Sequence, residues 1–250
     1  MSKARDFGVQ SYCFRHYKDN AEVAAKVREI GLDKIEICNV HANLKDPKSF
    51  GEVVKTYTDA GITIVSMGVE TFNGDPDAEQ TFRCAALAGI KHISCHFQAN
   101  SYIKAIPMVR AWARKYGVRV GIHCHGGYHF NGNLDTLKHL IGLGAPEIGV
   151  WIDTAWCMQI GPNQGKPVEW IRKHFPGQVY GIHYKDFVFE RNGAWKDVIV
   201  GQGNLDLPAV VAALEETGFD GVTLLEYEGN VENPVPALKE CVASMRALMA

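Results

Sequence analysis

Eight alternations of a short β-rich run with a helical run, unbroken over 250 residues, predict a single α/β domain built as a (β/α)8 barrel. Three observations carry the prediction. The alternation runs from end to end, and no low-complexity linker separates two halves. Four joints share one punctuation, helix then glycine then strand, at Gly31, Gly61, Gly89 and Gly117; a glycine there closes the helix and feeds a short turn. The main rival, a doubly wound open sheet, carries a Gly-rich dinucleotide loop after its first strand. That loop is missing here, since Gly201-Gln-Gly203 comes late and in another context, so no nucleotide cofactor is expected.

Residues 7–13 are apolar and β-rich and form the first strand. Residues 20–30 form the first helix, with Val23, Ala24, Val27 and Ile30 at helical spacing and Gly31 as its stop. Strand two is 34–38, and helix two is 47–60, closed by Gly61. Strand three is 62–69; Asp75-Pro76 opens helix three, which runs to residue 88. Strand four is 91–97 and helix four 101–116; strand five is 118–124 and helix five 134–143. Strand six is 148–153 and helix six 168–174. Strand seven, 179–183, is followed by a long loop to Asn204. Helix seven, 207–217, takes Asp206 as its N-cap; strand eight is 222–227 and helix eight 236–249.

Composition sets the outer bounds. At 46% hydrophobic and 22% charged residues, the chain can bury a sizeable core and is unlike a disordered segment. A net charge of -2 offers no field for gripping nucleic acid and no polybasic membrane patch. The opening residues lead into a strand without an apolar signal region, and no later run has the length of a membrane span, so the expected location is the cytoplasm. The 7 cysteines are an odd count without a Cys-x-x-Cys pair. Cys38, Cys95 and Cys124 lie in apolar strand segments and read as small buried hydrophobes in a reducing compartment.

The stretch Gly117-Val-Arg-Val-Gly-Ile-His-Cys-His-Gly-Gly127 shows the chemistry most clearly. Val118, Val120 and Ile122 share one face of strand five, and His123 and His125 share the other. The remaining strands end in the same way. Glu36 ends strand two, Glu70 strand three in phase with Ser66 and Gly68, and His96 strand four. Asp153 ends strand six, His183 and Lys185 strand seven, and Glu226 strand eight. In a barrel of this kind chemistry sits at the C-terminal ends of the strands. So many ionisable groups in one mouth need partners, and one divalent cation serves several of them at once. Two imidazoles with two carboxylates suit Mn²⁺ first, then Co²⁺, Fe²⁺ and Zn²⁺, and Mg²⁺ less well.

Order and spacing of several motifs make the chain resemble the xylose isomerase-like TIM barrels, the sugar phosphate isomerase/epimerase superfamily. The motifs are Gly8-Val-Gln-Ser-Tyr-Cys-Phe-Arg15, His123-Cys-His-Gly126, Asp153-Thr154, His183-Tyr-Lys-Asp186, Gly201-Gln-Gly-Asn-Leu-Asp206 and Glu226-Tyr-Glu228. The resemblance covers nearly the whole chain and implies one divalent metal held by His123, Asp153, His183 and Glu226. It also implies proton abstraction beside a carbonyl of a carbohydrate, through a metal-stabilised enediolate, and a homo-dimer or homo-tetramer. Glu226 is the first candidate base, Lys185 the second proton-handling group and His125 the third. Glu36, Glu70 and His96 complete the mouth as substrate contacts, and Trp156 and Phe72 read as walls for a sugar ring, with ordinary packing the alternative for each aromatic.

Two departures keep other readings open. The better-known epimerases carry a second catalytic glutamate where this chain has His123, and a histidine where it has Trp156. A lyase or dehydratase acting on a keto-sugar or inosose starts with the same proton abstraction and then expels a β-hydroxyl. An apurinic-site endonuclease of the superfamily would need the missing histidine, an Asp-x-His after strand seven and a basic surface, none of which the sequence shows. A non-catalytic sugar-binding subunit would not need the intact ligand set. The loops 72–77, 128–133 and 187–204 are placed to close over a pocket.

Overall fold

Parallel strands buried on both faces need helices over one face and a filled interior on the other, and a closed ring of strands supplies both. The computed structural model describes residues 2–126 and 129–250. Its parallel strands are β1 (Phe7–Gln10), β2 (Lys34–Ile37), β3 (Thr63–Phe72), β4 (His92–Phe97), β5 (Arg119–His123), β6 (Ile148–Asp153) and β7 (Val179–Tyr184). A two-stranded antiparallel hairpin follows, β8 (Asp186–Phe189) with β9 (Trp195–Val198). The last barrel strand is β10 (Val222–Leu225), which pairs with both β7 and β1 and so closes the ring. The predicted (β/α)8 barrel is the observed fold.

The covering helices are α1 (Asn20–Glu29), α2 (Pro47–Asp59), α3 (Glu79–Leu87), α4 (Tyr102–Tyr116) and α5 (Leu134–Gly144), then α6 (Thr154–Gln159), α7 (Pro167–Glu169), α8 (Leu207–Glu216) and α9 (Val235–Leu248). Side-chain caps start several of them: Asp19, Asp46, Asn133 and Asp206 each accept from backbone N–H groups of the first turn. The four joint glycines all adopt the left-handed conformation that ends a helix, Gly117 for example at φ 63°. Among the described residues no helix is long and apolar enough to cross a membrane.

Three features escaped the periodicity. The loop expected over 187–204 contains the β8–β9 hairpin. Helix α6 starts directly from β6, because Asp153 ends the strand and also caps the helix, its Oδ1 accepting from Trp156 N at 2.9 Å. Strand β3 changes phase in its middle. Its register with β4 runs Met67↔Ile93 and then Glu70↔Cys95, three residues against two. Gly68 sits at that irregularity, where a Cβ would fall 2.3 Å from the Ser94 carbonyl oxygen. Glu70 therefore shares a face with Cys95, not with Ser66.

The barrel interior is filled beneath the mouth by Trp151, fully buried and edge-on to His183 at 5.4 Å between ring centres. Gly181 makes room for it: a Cβ there would lie 2.3 Å from the indole ring. Gly181→Ala is expected to destabilise the protein by about 1–3 kcal/mol or more, read as a lower midpoint in urea unfolding. An unchanged midpoint would show that the indole can yield.

Candidate metal centre and active site

Four strand ends place four donor groups at one point. His123 is the last residue of β5, Asp153 the last of β6, His183 lies near the end of β7, and Glu226 follows β10. One ligand atom from each lies within 4.8 Å of all the others. His123 Nε2 is 3.1 Å from His183 Nδ1 and 3.8 Å from Asp153 Oδ2, and His183 Nδ1 is 2.7 Å from Glu226 Oε2. Asp153 Oδ2 is sealed from solvent without a hydrogen-bond donor, and Glu226 Oε2, equally sealed, meets the His183 ring nitrogen at 2.7 Å but out of line for a hydrogen bond. Buried carboxylate oxygens left in that state are costly unless a cation faces them. The donor set, two imidazole nitrogens and two carboxylate oxygens, fits one divalent ion.

Electrostatics separates the members. Burial, with His183 adding to it, holds the His123 imidazole well below its usual range, so the ring is neutral and its nitrogen available. Burial also presses on His183, but Glu226 and then Glu36 outweigh it and lift the ring to about 10. Burial pushes Asp153 up to about 7 against the pull of Lys185. Glu226 goes the other way: burial is overcome by Lys185 and His183, which hold it at about 2. The two carboxylates thus stand in different protonation regimes a few ångströms apart.

Lys185 is fully buried among carboxylates. Its ammonium pairs with Glu228 and lies 3.8 Å from both Glu226 Oε1 and Asp197 Oδ2. Burial opposes its charge, but Glu226, Asp153, Glu228 and Asp197 raise its pKa above the usual lysine value. It also lies 5.5 Å from the centre of the Trp156 ring. Trp156 in turn stacks on His125, ring centres 4.5 Å apart and planes at 25°. His125, half-buried, is held below its ordinary value mainly by burial.

A cavity of about 300 Å³ opens over this cluster, and His96, His123, His125, Trp156, Glu226 and Glu228 line it. A larger hollow of about 430 Å³ lined by Arg5, Arg28 and Arg246 with Asp6 and Asp33 contains none of the groups discussed here, and its mixed charges offer no convergent set of donors. The other residues expected at the mouth are distributed differently. Glu36 is fully buried, beneath His183 and not on the cavity wall. Glu70, turned by the phase change in β3, lines a separate cavity beside Asn39 and Lys45, while Val69 takes its place at the mouth. Phe72 packs in the helix layer between Phe82 and Phe97 at 5.8 and 6.1 Å. Of the loop 128–133, residue 128 lies outside the described residues.

Sequence reasoning gave no role to Glu228, Asp197, Gln10 or Tyr12. Glu228 was within reach of it, being two residues beyond Glu226 and in the same phase. Asp197 was not: it arrives on the hairpin, where it also accepts from Glu228 N at 3.2 Å. Gln10 and Tyr12, at the end of β1, line the cavity.

The family model for xylose isomerase-like TIM barrels matches residues 24–248. The chain belongs to that family. Solved structures of the same fold include a xylose isomerase-like TIM barrel protein from Mycobacterium smegmatis in complex with magnesium, at 15% identity and TM-score 0.77, covering 100% of both chains. Another is the IOLI protein with a binding zinc atom, at 16% identity and TM-score 0.78 over 98% of both chains. A third is the 3-keto-D-glucoside 4-epimerase YcjR from E. coli, at 17% identity and TM-score 0.72 over 97% of this chain and 99% of that one. Identities this low establish the shared fold alone. No curated protein sequence matches this xylose isomerase-like TIM barrel significantly.

Proposed function

We propose that this protein is a divalent-metal-dependent isomerase or epimerase of a carbohydrate carbonyl compound. The carrying observation is the convergence of His123, Asp153, His183 and Glu226 beside a cavity that His123 and Glu226 line, with two carboxylate oxygens left without aligned donors. Membership of the family supports it, as does the fold shared with a named sugar epimerase and with magnesium- and zinc-containing relatives. Bound by these four residues, a cation such as Mn²⁺ supplies Lewis-acid polarisation of a carbonyl.

The chain's own groups do the rest. Glu226, kept ionised by Lys185, takes the proton from the carbon next to the carbonyl and returns it to the neighbouring carbon for isomerisation. Epimerisation needs a second proton-handling group facing the other side of that carbon, a role that falls to His125 on the cavity wall. Lys185, fully buried behind the cavity wall and held between Glu226 and Glu228, supplies the positive charge that keeps Glu226 ionised. Trp156 and His125 give the cavity a flat aromatic side for the apolar face of a sugar, and Tyr12 and Val69 also line it. The family resemblance favours β-elimination as a second reading: it implies a second catalytic glutamate at the end of strand five, where this chain has His123, and a dehydratase needs a single base on the α-carbon. Its product would show the absorbance of an unsaturated carbonyl.

The test is elemental analysis of the wild type and of Asp153→Ala. About one transition metal per chain in the wild type and none in the variant is the expected result, given that one of four donors to a single ion is lost. Wild type that holds no metal after loading and gentle dialysis would sink the mechanism.

A further inference from the structure

We infer that Glu36 is a positioning residue for the metal centre, fixing His183 so that Nδ1 is the nitrogen presented to the other three donors. The inference rests on the metal reading above and assigns the residue that orients one of its ligands. Glu36 and His183 are both fully buried, and the carboxylate stands behind the ring, with Glu36 Oε1 3.2 Å from His183 Nε2. Each ring nitrogen faces a carboxylate, but Glu226 is itself one of the four donors and Glu36 is not; a cation held by that set takes the lone pair on Nδ1, and the ring proton stays on Nε2 against Glu36.

The surroundings of Glu36 admit no other arrangement. Gln10 Nε2 and Ser94 Oγ also donate to Oε1, the latter at 3.1 Å, and Ser66 Oγ donates to Oε2 at 2.6 Å. The Gln10 amide cannot turn over, because its own oxygen accepts from Tyr12 N at 3.1 Å and from Ser11 Oγ at 3.3 Å. Every neighbour of the carboxylate is therefore a donor. The carboxylate thus meets a donor from each of these neighbours, and the His183 ring closes the set at 3.2 Å.

These contacts also span the barrel. Gln10 lies on β1, Glu36 on β2, Ser66 on β3, Ser94 on β4 and His183 on β7. Trp151 meets the His183 ring edge-on, blocking the ring from swinging into the barrel interior. The imidazole is thus held from behind and from below, and Nδ1 faces His123 Nε2 and Glu226 Oε2.

The test is titration of the full chain with Co²⁺, read by its visible absorption bands, on wild type, Asp153→Ala and Glu36→Gln. Glutamine keeps the size but is a weaker acceptor for the imidazole. The expected result is bands in the wild type, none in Asp153→Ala, and in Glu36→Gln shifted bands with affinity weakened roughly 10- to 100-fold, the range that loss of a ligand's outer partner brings. Circular dichroism checks that each variant folds. Where Glu36→Gln does not fold, Glu36→Asp, which withdraws the carboxylate by one methylene, carries the same expectation. Wild-type affinity and wild-type bands in a folded Glu36 variant would overturn the positioning role and leave the metal centre standing. Absence of bands in the wild type would overturn the metal centre, and the positioning role with it.

Discussion

Glu226→Gln is expected to lower turnover of the wild-type substrate by roughly a thousandfold or more while leaving the fold intact. The exchange is isosteric, so the packing after β10 survives. Two things vanish together. The amide is a poor metal donor where the carboxylate oxygen faced His183 Nδ1 at 2.7 Å, and it cannot take a proton from carbon. A positioned base alone contributes about a hundred- to ten-thousandfold. The measurement is proton NMR in heavy water with a panel of keto-sugars and Mn²⁺ or Co²⁺. Wild type should wash deuterium into the carbon beside the carbonyl, and the variant should not. Exchange at the wild-type rate in Glu226→Gln would remove this residue from the mechanism.

Lys185→Met has the largest expected effect on stability. The ammonium is fully buried, and Glu226, Glu228, Asp153 and Asp197 all depend on it. Removing one partner of a buried charge set leaves the others uncompensated, at about 3–5 kcal/mol. The sign of the pH dependence follows from the carboxylates. Without the ammonium the folded pKa values of Asp153, Asp197 and Glu226 rise, so stability is lost as pH increases through those values and regained as they protonate. Asp153 and Asp197 already stand at about 7 with the lysine present, so the window opens near neutrality. The deficit against wild type should be greatest near about pH 8 and smaller near about pH 5, by urea unfolding. Added Mn²⁺ should recover part of it, since a cation bound by Asp153 and Glu226 replaces the missing charge. A deficit below about 1 kcal/mol near pH 8 would show that the carboxylates find solvation elsewhere.

How much of this was readable from the residues depends on what alternation can encode. Period-two patterning states which face a side chain takes, and for β5, β6 and β7 that was enough to put His123, Asp153 and His183 together. It does not state depth, so Glu36 was expected at the substrate and stands beneath His183. It also assumes an unbroken strand. One irregularity at Gly68 sent Glu70 to the outer face and Phe72 into the helix layer, and only the approach of β3 to Ser94 explains it. Asp153 concealed helix α6, because a residue that ends a strand and caps a helix leaves no linker to notice. Asp197 had no local signal; its importance arises from Lys185, which the hairpin happens to reach.

That hairpin is joined to the barrel by two carboxylates. Asp186 accepts from the backbone N–H groups of Gly201, Gly203 and Leu205, pinning the base of the excursion, and Asp197 reaches the backbone of Glu228 across the mouth. Everything between them, including the turn at 190–194, belongs to no barrel strand. The protein thus carries an interchangeable cartridge beside its reaction centre. Its turn can be lengthened, shortened or redecorated without re-registering a single barrel strand, provided the two acidic anchors are kept. The support it gives the cavity wall, through Trp195 standing 5.4 Å from Trp156, can then be retuned separately from the donor cluster.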